Sequence, residues 1–332
     1  MHVHLALPGL LWPARALPDL TFDLDLPALH WLLGRGRCVR STPLAFEHWL
    51  AGRFGHDTTS PPAAALRFLG DGFAPGDAHW IGADPAHLAF EHGQPTLSDP
   101  ADLALTPEEI AELETAVKPA LAAIGDFSLH TDGHGYIKLA APTTLDAAPL
   151  SAAIGRGAAE LLPRGSDAVR WLHLANEAQM ALHDLPVNSR REAAGRPTVN
   201  TLWFWGAGSL PKTQPIAYKK VGGGGALAKG CACHAGVDWH SSAAVTCDVP
   251  VLLIEERLVA PTQQLDAHAW REALLAINHE QVVPLLAALR SGQVKRLTLT
   301  ALGDEASIDV NLGRSDVLRF WRRPLTLTDL LQ

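Results

Sequence analysis

The sequence predicts an α/β protein built around a central, mostly parallel β-sheet. Helical and extended signals alternate along its 332 residues, and such alternation is typical of strands that are joined through helices. Hydrophobic residues make up 47% of the chain and charged residues 19%, a balance that excludes a disordered chain. A chain of this length can bury a large core, as one elaborated domain or as two closely packed ones.

Local signals place several elements. Thr106 is a suitable N-cap, and Pro107 with two following glutamates favours a first helical turn, so we expect a helix from there to about Ile124. The pair Asp132-Gly133 predicts a hairpin over residues 127–140. A second hairpin is expected near the end, with strands over residues 294–301 and 306–312.

Residues 176–211 set polar side chains beside a buried apolar run. Apolar residues at helical spacing after Asp167 predict a helix that ends at Pro186, because the proline ring cannot continue the helical hydrogen bonds. A polar loop is expected next, and then a buried strand over residues 199–205. Gly206 and Gly208 turn the chain at the carboxyl end of that strand, where ligands bind in α/β sheets.

This arrangement predicts a pocket for an anionic ligand, a phosphorylated or carboxylate small molecule. The candidate ligand-binding residues lie on the helix, the loop and the strand, and are Asn176, His183, Asn188, Arg190, Arg191 and Asn200. The alternative is that these side chains face water or serve the fold, because arginines and asparagines are ordinary at an α/β turn.

A second candidate pair is Asp84 and His87. A short strand signal precedes them, and Pro85 is expected to turn the chain at the end of that strand. An aspartate beside an imidazole fixes the tautomer of the ring and raises its pKa, which suits proton transfer. The alternative is a simple turn with a solvent-facing histidine.

The four cysteines are too few and too unevenly spaced for a secreted disulfide framework, so we expect reduced thiols. Cys231, Cys233 and His234 are of the residue types that bind zinc. Their Cys-x-Cys spacing is not the common one, and small buried residues are the other explanation. Both interpretations stay open.

Charge and hydropathy exclude several classes of partner. The net charge is −8 and no run of lysine or arginine occurs, which argues against general nucleic-acid binding. No apolar run reaches the length of a membrane span, and no secretory signal is recognised. We therefore expect a cytoplasmic protein with a small-molecule ligand, a protein partner or a second copy of itself, and with no nucleic acid or membrane partner.

The motif Arg319-Phe320-Trp321-Arg322-Arg323 near the end of the chain is expected to serve stability or partner binding rather than chemistry. Arginines and aromatic rings stack, pair with carboxylates and are enriched at interfaces. Leucines continue the apolar pattern after the motif, which favours packing on the core.

Residues 176–211, which we call the central segment, also resemble a segment of a known family. It resembles the corresponding segment of archaeal-type cofactor-independent phosphoglycerate mutases, of the alkaline phosphatase superfamily, in His183-Asp184-Leu185-Pro186-Val187-Asn188, the two arginines, Gly195, Asn200 and Trp205-Gly206-Ala207-Gly208. The bacterial RpfE-type, phosphoglycerate mutase-like proteins are more similar still, through residues 26–37, 83–88 and 319–323. The resemblance covers nearly the whole chain. It implies an alkaline phosphatase-like sandwich, with residues 1–332 as a single elaborated domain and a reduced cap region around residues 90–165.

The sequence departs from the family where the family binds metal. The mutases end their first strand in Asp-Gly, whose carboxylate is a metal ligand, whereas this chain has Leu7-Pro8-Gly9. Their late aspartate and histidine clusters, which complete a two-metal site, are not found at those spacings either. Because of these departures we expect no dinuclear metal centre and no cofactor in this protein.

Ser41 falls near the position of the family's nucleophile and is a candidate catalytic residue, although Thr42 stands where the family has an aspartate. Two functions follow. The protein is a metal-deficient, regulatory relative that keeps an anion-binding or partner-binding surface, or it is an active isomerase or phosphohydrolase with a rebuilt site.

Overall fold

The computed structural model describes residues 1–91, 94–157, 161, 163–243 and 248–331. The chain divides into two compact units, of which the first consists of Met1–Phe46 and Pro215–Gln332 and the second of Glu47–Gln214. The interpretation of the whole chain as one elaborated domain stays a prediction. The expected cap region, around residues 90–165, lies within the second unit.

A seven-stranded sheet forms the centre of the first unit. The order of its strands is β10-β9-β11-β1-β12-β13-β2. The first five strands are parallel, and β13 pairs antiparallel with both β12 and β2. Their bounds are β1 His2–Leu11, β2 Arg37–Ser41, β9 Lys220–Gly223, β10 Asp238–His240, β11 Val251–Ile254, β12 Arg296–Gly303 and β13 Ser307–Gly313. The predicted fold class, α/β with a mostly parallel central sheet, is confirmed.

Strand β1 lies inside this sheet, and eight of its ten residues are buried. Val3–Ala6 pair with Val251–Ile254 on one side, and His2–Leu7 pair with Arg296–Ala301 on the other. Leu5 and Leu7 belong to the main core of the unit, which the apolar faces of its helices complete. These helices are α1 Leu17–Thr21, α2 Pro27–Arg35, α9 Gly225–Ala235, α10 Val259–Gln263, α11 Ala267–Ile277 and α12 Val283–Ser291.

The second unit contains an antiparallel four-stranded sheet of order β6-β7-β3-β8 and a separate hairpin of β4 and β5. The strands are β3 Trp80–Ala86, β4 Leu88–Glu91, β5 Gln94–Leu97, β6 Gly125–Leu129, β7 Gly135–Leu139 and β8 Thr201–Gly208. The helices are α3 Phe46–Arg53, whose first residue belongs to the first unit, α4 Ala63–Gly70, α5 Pro107–Leu121, α6 Leu150–Ala153, α7 Ala168–His183 and α8 Pro186–Ala193. The second unit has a separate hydrophobic core, in which α5 and α7 pack against the four-stranded sheet.

The elements predicted from local signals are confirmed. Helix α5 begins after Thr106, whose hydroxyl accepts from the N–H of Glu109 while the Glu109 carboxylate accepts from the N–H of Thr106. Strands β6 and β7 form the first predicted hairpin, with Gly133 in its turn at φ +85°. Strands β12 and β13 form the second. Among the described residues, no helix is long and apolar enough to cross a membrane.

The predicted order of elements around Pro186 is wrong in two respects. Proline begins α8 instead of preceding a loop, since its missing N–H costs nothing in the first turn of a helix. As a result Asn188, Arg190 and Arg191 are helical. Strand β8 belongs to the antiparallel sheet of the second unit, so the rule that ligands bind at the carboxyl ends of parallel strands does not apply to it.

The predicted turn at Asp84-Pro85 is also wrong. Strand β3 continues through both residues to Ala86, where it pairs with Thr201 of β8. Proline is tolerated because the pairing of β3 with β7 has already ended at Gly82, so one side of the strand needs no N–H donor there.

The capping box at the start of α5 is a testable contribution to stability. We expect Thr106→Ala to lower the free energy of unfolding by about 1 kcal/mol, because the N–H of Glu109 loses its acceptor. Urea denaturation followed by circular dichroism measures the change. Thr115→Ala, at an exposed position of the same helix, is the control, and an equal loss in both variants would contradict the capping role.

Candidate functional site

The carboxyl end of β1 is the position at which the resembling enzymes carry a metal-binding aspartate. Gly9, whose φ is +79°, lies near this end, where the register of β1 with β12 shifts between Pro8 and Leu11. The carbonyl oxygen of Gly9 accepts from Nε1 of Trp270 at 2.8 Å and from the hydroxyl of Thr262 at 2.9 Å. Leu10 and Trp12, which follow, are buried in the core of the unit. This strand end therefore offers neither a carboxylate nor a free oxygen to a cation.

The neighbouring strand, β11, ends in a carboxylate that is already paired. Glu255 is 6% exposed, and Arg257 donates to both of its oxygens at 2.8 Å. Gln281 also donates to this carboxylate. Arg257 makes a further ion pair with Glu280 at 2.7 Å, and its hydrogen bonds to Glu255 come first among the causes that raise its pKa. Because the positive charge next to Glu255 is a fixed guanidinium, a second cation is disfavoured there.

The ends of β1 and β11, as described, therefore do not fit a dinuclear metal centre. In the part of the chain that the structure describes, the one group of three metal-capable donors is Asp71, Asp132 and His134, whose ligand atoms lie within 4.8 Å of one another. That group belongs to the second unit.

Polar side chains cross the large sheet in two parallel rows, which we call the polar rows: His2, Thr298 and Asn311 in the outer row, and His4, Thr300 and Asp309 in the inner row. In the inner row Nε2 of His4 lies 2.7 Å from the hydroxyl of Thr300, which donates to Asp309 at 2.5 Å. Nδ1 of His4 lies 2.7 Å from the hydroxyl of Tyr218.

The donors in the inner row fix the tautomer of His4. Since the hydroxyl hydrogen of Thr300 is given to Asp309, the oxygen of Thr300 must accept, and Nε2 of His4 carries the proton. Nδ1 then accepts from Tyr218. His4 is 2% exposed and Thr300 is fully buried, so the inner row is a satisfied structural network.

The outer row follows the same pattern closer to solvent. Nε2 of His2 lies 2.9 Å from the hydroxyl of Thr298, which donates to Asn311 at 3.0 Å. Burial, followed by the charge of Arg296, lowers the pKa of His2, so its ring is neutral at pH 7. Neither row was among the sites predicted from the sequence. The available signal was a polar residue at every second position of three otherwise apolar strands, since such residues share one face of a sheet.

A buried ion pair is the centre of the second unit. Arg67 donates to both oxygens of Asp84, at 2.9 and 2.7 Å, and the two side chains are 6% and 1% exposed. Asp84 also accepts from the indole N–H of Trp205 at 2.6 Å and from the backbone N–H of Gly135 at 3.0 Å. Although burial opposes its charge, Asp84 raises the pKa of Arg67. The carboxylate is therefore fully occupied.

The network continues from Arg67 to the triad of Asp71, Asp132 and His134. Nε of Arg67 donates to the hydroxyl of Tyr136 at 2.8 Å, and Tyr136 donates to Asp71 at 2.5 Å. Nδ1 of His134 lies 2.9 Å from Asp71 and 3.2 Å from Asp132. Although burial opposes it, hydrogen bonding to these two carboxylates raises the pKa of His134 to about 9. His134 is consequently charged at pH 7 and pairs with them as a cation.

The predicted pairing of Asp84 with His87 is not found. The two residues are three positions apart along an extended segment, so their side chains leave opposite sides of the backbone. Nδ1 of the half-buried His87 instead lies 2.8 Å from the backbone oxygen of Thr198. Ser41 is at the exposed end of the edge strand β2, where its hydroxyl donates to the backbone oxygen of Ser307 at 3.3 Å. Catalytic roles for Asp84, His87 and Ser41 stay predictions.

The polar residues of the central segment are engaged within the fold. Asn188 donates to the backbone oxygens of Leu182 and Val199, each at 2.8 Å, and accepts from the N–H of Val199. Asn200 exchanges two hydrogen bonds with the backbone of Leu88. These contacts close the junction between α8 and β8 and the start of the β4 hairpin.

The two arginines of the segment pair with helix α5. Arg191 is 1% exposed and pairs with Glu109 at 2.8 Å, and it also donates to the backbone of Leu103. Arg190 pairs with Glu112 at 2.5 Å near the surface. Asn176 and His183 are exposed. These contacts support the structural alternative, and the assignment of the six residues to one ligand pocket stays a prediction.

The cysteine motif lies on helix α9. Cys231 is fully buried, and burial raises the pKa of its thiol, whereas Cys233 is exposed. Within the described ranges these two thiols and His234 do not form a group of three close donors. Cys247 lies outside the described residues. The buried thiol therefore fits the structural explanation.

The aromatic residues of the C-terminal motif lie at the surface, and leucines that follow the motif lie in the core. Phe320 and Trp321 are 82% and 67% exposed, whereas Leu327 and Leu330 are buried. Arg319 pairs with Asp316 at 2.8 Å, and Arg322 donates to the backbone oxygen of Gly36 at 3.0 Å. The leucines pack as predicted, and the aromatic rings do not.

No protein-family model matches the chain. Among curated proteins, the chain is 30% identical over 122 residues to a probable 2,3-bisphosphoglycerate-independent phosphoglycerate mutase from Geobacter sulfurreducens, over 35% of this chain and 30% of that protein. It is 35% identical over 89 residues to the 2,3-bisphosphoglycerate-independent phosphoglycerate mutase of Methanosarcina barkeri, over 25% of this chain and 22% of that protein. The chain is thus similar to cofactor-independent phosphoglycerate mutases, over less than a third of the length of these relatives.

The fold of one solved protein is similar to the fold of this chain over almost its whole length. The PH0037 protein from Pyrococcus horikoshii matches with a TM-score of 0.56 and 15% identity, covering 99% of this chain and 92% of that one. At this identity the match shows a shared fold and not a shared activity.

The buried pair of Arg67 and Asp84 predicts a large loss of stability on mutation. Asp84→Ala should lower the free energy of unfolding by about 3–5 kcal/mol, because it leaves a buried guanidinium and an indole N–H without their acceptor. Thermal and urea denaturation measure the loss. Asp126→Ala, on an exposed position of β6, is the matched control. A folded Asp84→Ala protein of unchanged stability would contradict the structural role.

The raised pKa of His134 predicts a pH dependence of stability. Since the pKa is about 9 in the folded protein and 6.5 for an ordinary histidine, pairing of the cation stabilises the fold fully below about pH 6.5 and is lost as pH rises through about 9. His134→Gln should therefore lower the melting temperature at pH 6, with a difference that shrinks above about pH 9. His268→Gln, at a highly exposed histidine, should show no such trend. A constant difference from pH 6 to pH 10 would contradict the assignment.

Proposed function

We propose that this protein is a metal-deficient phosphoglycerate mutase-like protein that acts in regulation by binding an anion or a partner rather than by phosphoryl transfer. The observation that carries the proposal is the carboxyl end of β1, where Pro8 offers no carboxylate and the carbonyl oxygen of Gly9 accepts from Trp270 and Thr262. The similarity to RpfE-type proteins, which rests on the motifs in the sequence, agrees with such a role.

Phosphoryl transfer requires stabilisation of a highly charged transition state. Two-metal enzymes stabilise both the attacking and the leaving oxygens through the cations, and phosphoryl transfer depends almost entirely on such positioning and charge stabilisation. At the corresponding edge of this sheet the nearest buried carboxylate, Glu255, is neutralised by Arg257. A multiply charged transition state there lacks the cations that stabilise it.

A second candidate function is an isomerase or phosphohydrolase with a rebuilt site. The group of Asp71, Asp132 and His134 favours it, because two carboxylates and an imidazole are common metal ligands. Against it stands competition from a proton, since the imidazole of His134, whose pKa is raised to about 9, must lose its proton before it binds a metal.

Metal analysis paired with an activity assay tests the proposal. We expect purified protein, dialysed against manganese or magnesium, to retain no stoichiometric metal and to convert no 3-phosphoglycerate above background, with an active cofactor-independent mutase as the positive control. About two metals per chain, removed by a chelator together with activity, would overturn the proposal. One metal per chain that is lost in Asp71→Asn would instead favour the rebuilt site.

Any rate above background is assigned with three further variants. Loss of that rate in Ser41→Ala or in His87→Ala, without unfolding, would assign it to the corresponding candidate catalytic residue. Thr59→Ala, at an exposed loop position, controls for nonspecific effects.

A further inference from the structure

The amino ends of β1, β12 and β2, with the carboxyl end of β13, border a surface groove of roughly 660 Å³. Four of its lining residues are arginines: Arg37, Arg296, Arg319 and Arg322. We call it the arginine groove. It lies entirely within the first unit, at the end of the sheet opposite to Gly9. Its volume is in the range of sites for small molecules.

The charge of the groove is strongly unbalanced. Asp316 is the one acidic residue in the lining, and it pairs with Arg319. Neither Arg37 nor Arg296 has a hydrogen-bonded or ion-paired side-chain partner among the residues that the structure describes, and both are exposed. Like charges held together repel one another, so this cluster lowers its free energy when it binds an anion. In a chain of net charge −8, the cluster is a local exception.

The floor of the groove is the outer polar row. His2, Thr298 and Asn311 line it, and the hydrogen bonds from His2 to Thr298 and from Thr298 to Asn311 hold these side chains in place. Because the ring of His2 is neutral, the positive charge comes from the guanidinium groups alone. Guanidinium groups form paired, parallel hydrogen bonds with phosphoryl oxygens, which a single ammonium does not.

We propose that the arginine groove binds a small molecule that carries two or more phosphoryl groups. Several guanidinium groups around one cavity need a ligand with several negative charges, and a ligand with one phosphate neutralises only part of them. An extended nucleic acid is disfavoured, since the acidic remainder of the chain repels a long polyanion. This binding does not depend on whether the protein is an enzyme.

Calorimetric titration of the full chain with inorganic tripolyphosphate tests the proposal. The test variant is Arg37→Gln/Arg296→Gln, because both side chains are exposed and their loss should not affect folding. The control is Arg15→Gln/Arg170→Gln, which removes the same charge from exposed positions elsewhere. We expect tripolyphosphate to bind the unmodified protein and the control alike, and to bind the test variant at least about tenfold more weakly, with unchanged melting temperatures.

Each other outcome overturns the assignment. Equal weakening in both double variants would show nonspecific attraction, and absence of tripolyphosphate binding to the unmodified protein would exclude the ligand class. Citrate and a hexaglutamate peptide are titrated in parallel. Tighter binding of either would assign the groove to carboxylates, and in the case of the peptide to an acidic protein partner. None of these titrations measures metal content or phosphoglycerate turnover, so their failure is distinct from failure of the proposed function.

Discussion

The position of β1 between β11 and β12 is the constraint on which the first unit depends. Val3–Ala6 are hydrogen-bonded to a neighbouring strand on each side. A shift of β1 along its axis would therefore break the pairing with both neighbours and move both of its ends. Near the carboxyl end, this position brings Gly9 close to the segment that follows β11. A Cβ at Gly9 would lie 2.6 Å from the backbone oxygen of Leu258. Any side chain at Gly9 therefore requires a different backbone.

The same register determines the chemistry of the sheet faces. Because side chains alternate along a strand, the pairing that buries Val3, Leu5 and Leu7 in the core sends His2 and His4 to the opposite face. Thr298 and Thr300 meet them from β12 at paired positions. One pairing thus produces the apolar core, the satisfied inner row and the floor of the groove.

Elements that depend on neighbouring residues were predictable from the sequence, and those that depend on distant partners were not. The capping box of α5 and the turn at Gly133 involve residues within a few positions of each other, so composition and spacing suffice to place them. The sheet to which β8 belongs is decided by its pairing with β3, which lies over a hundred residues earlier. No local signal distinguishes a strand in a parallel sheet from one in an antiparallel sheet of this kind.

Asp84 shows that the partners of a site residue are also hard to predict from its neighbours in the sequence. Its sequence neighbour His87 suggested a proton-transfer pair, whereas the partners that the fold supplies are Arg67, Trp205 and the N–H of Gly135. A carboxylate whose two oxygens already accept from four N–H groups has no remaining need of a histidine. Spacing along the chain therefore pointed to Asp84, but it could not reveal partners that lie far away in the sequence.

The arginine groove extends this argument from single residues to charge. Its four arginines lie at positions 37, 296, 319 and 322, so only the last two share a motif in the sequence, and the net charge of −8 points away from anion binding. The rule that ligands bind at the carboxyl ends of parallel strands rests on loops and helix termini, which offer backbone N–H groups there. A site built from guanidinium side chains needs no such groups. The opposite end of the sheet therefore suits an anion equally well, provided that the register of the strands brings the arginines together.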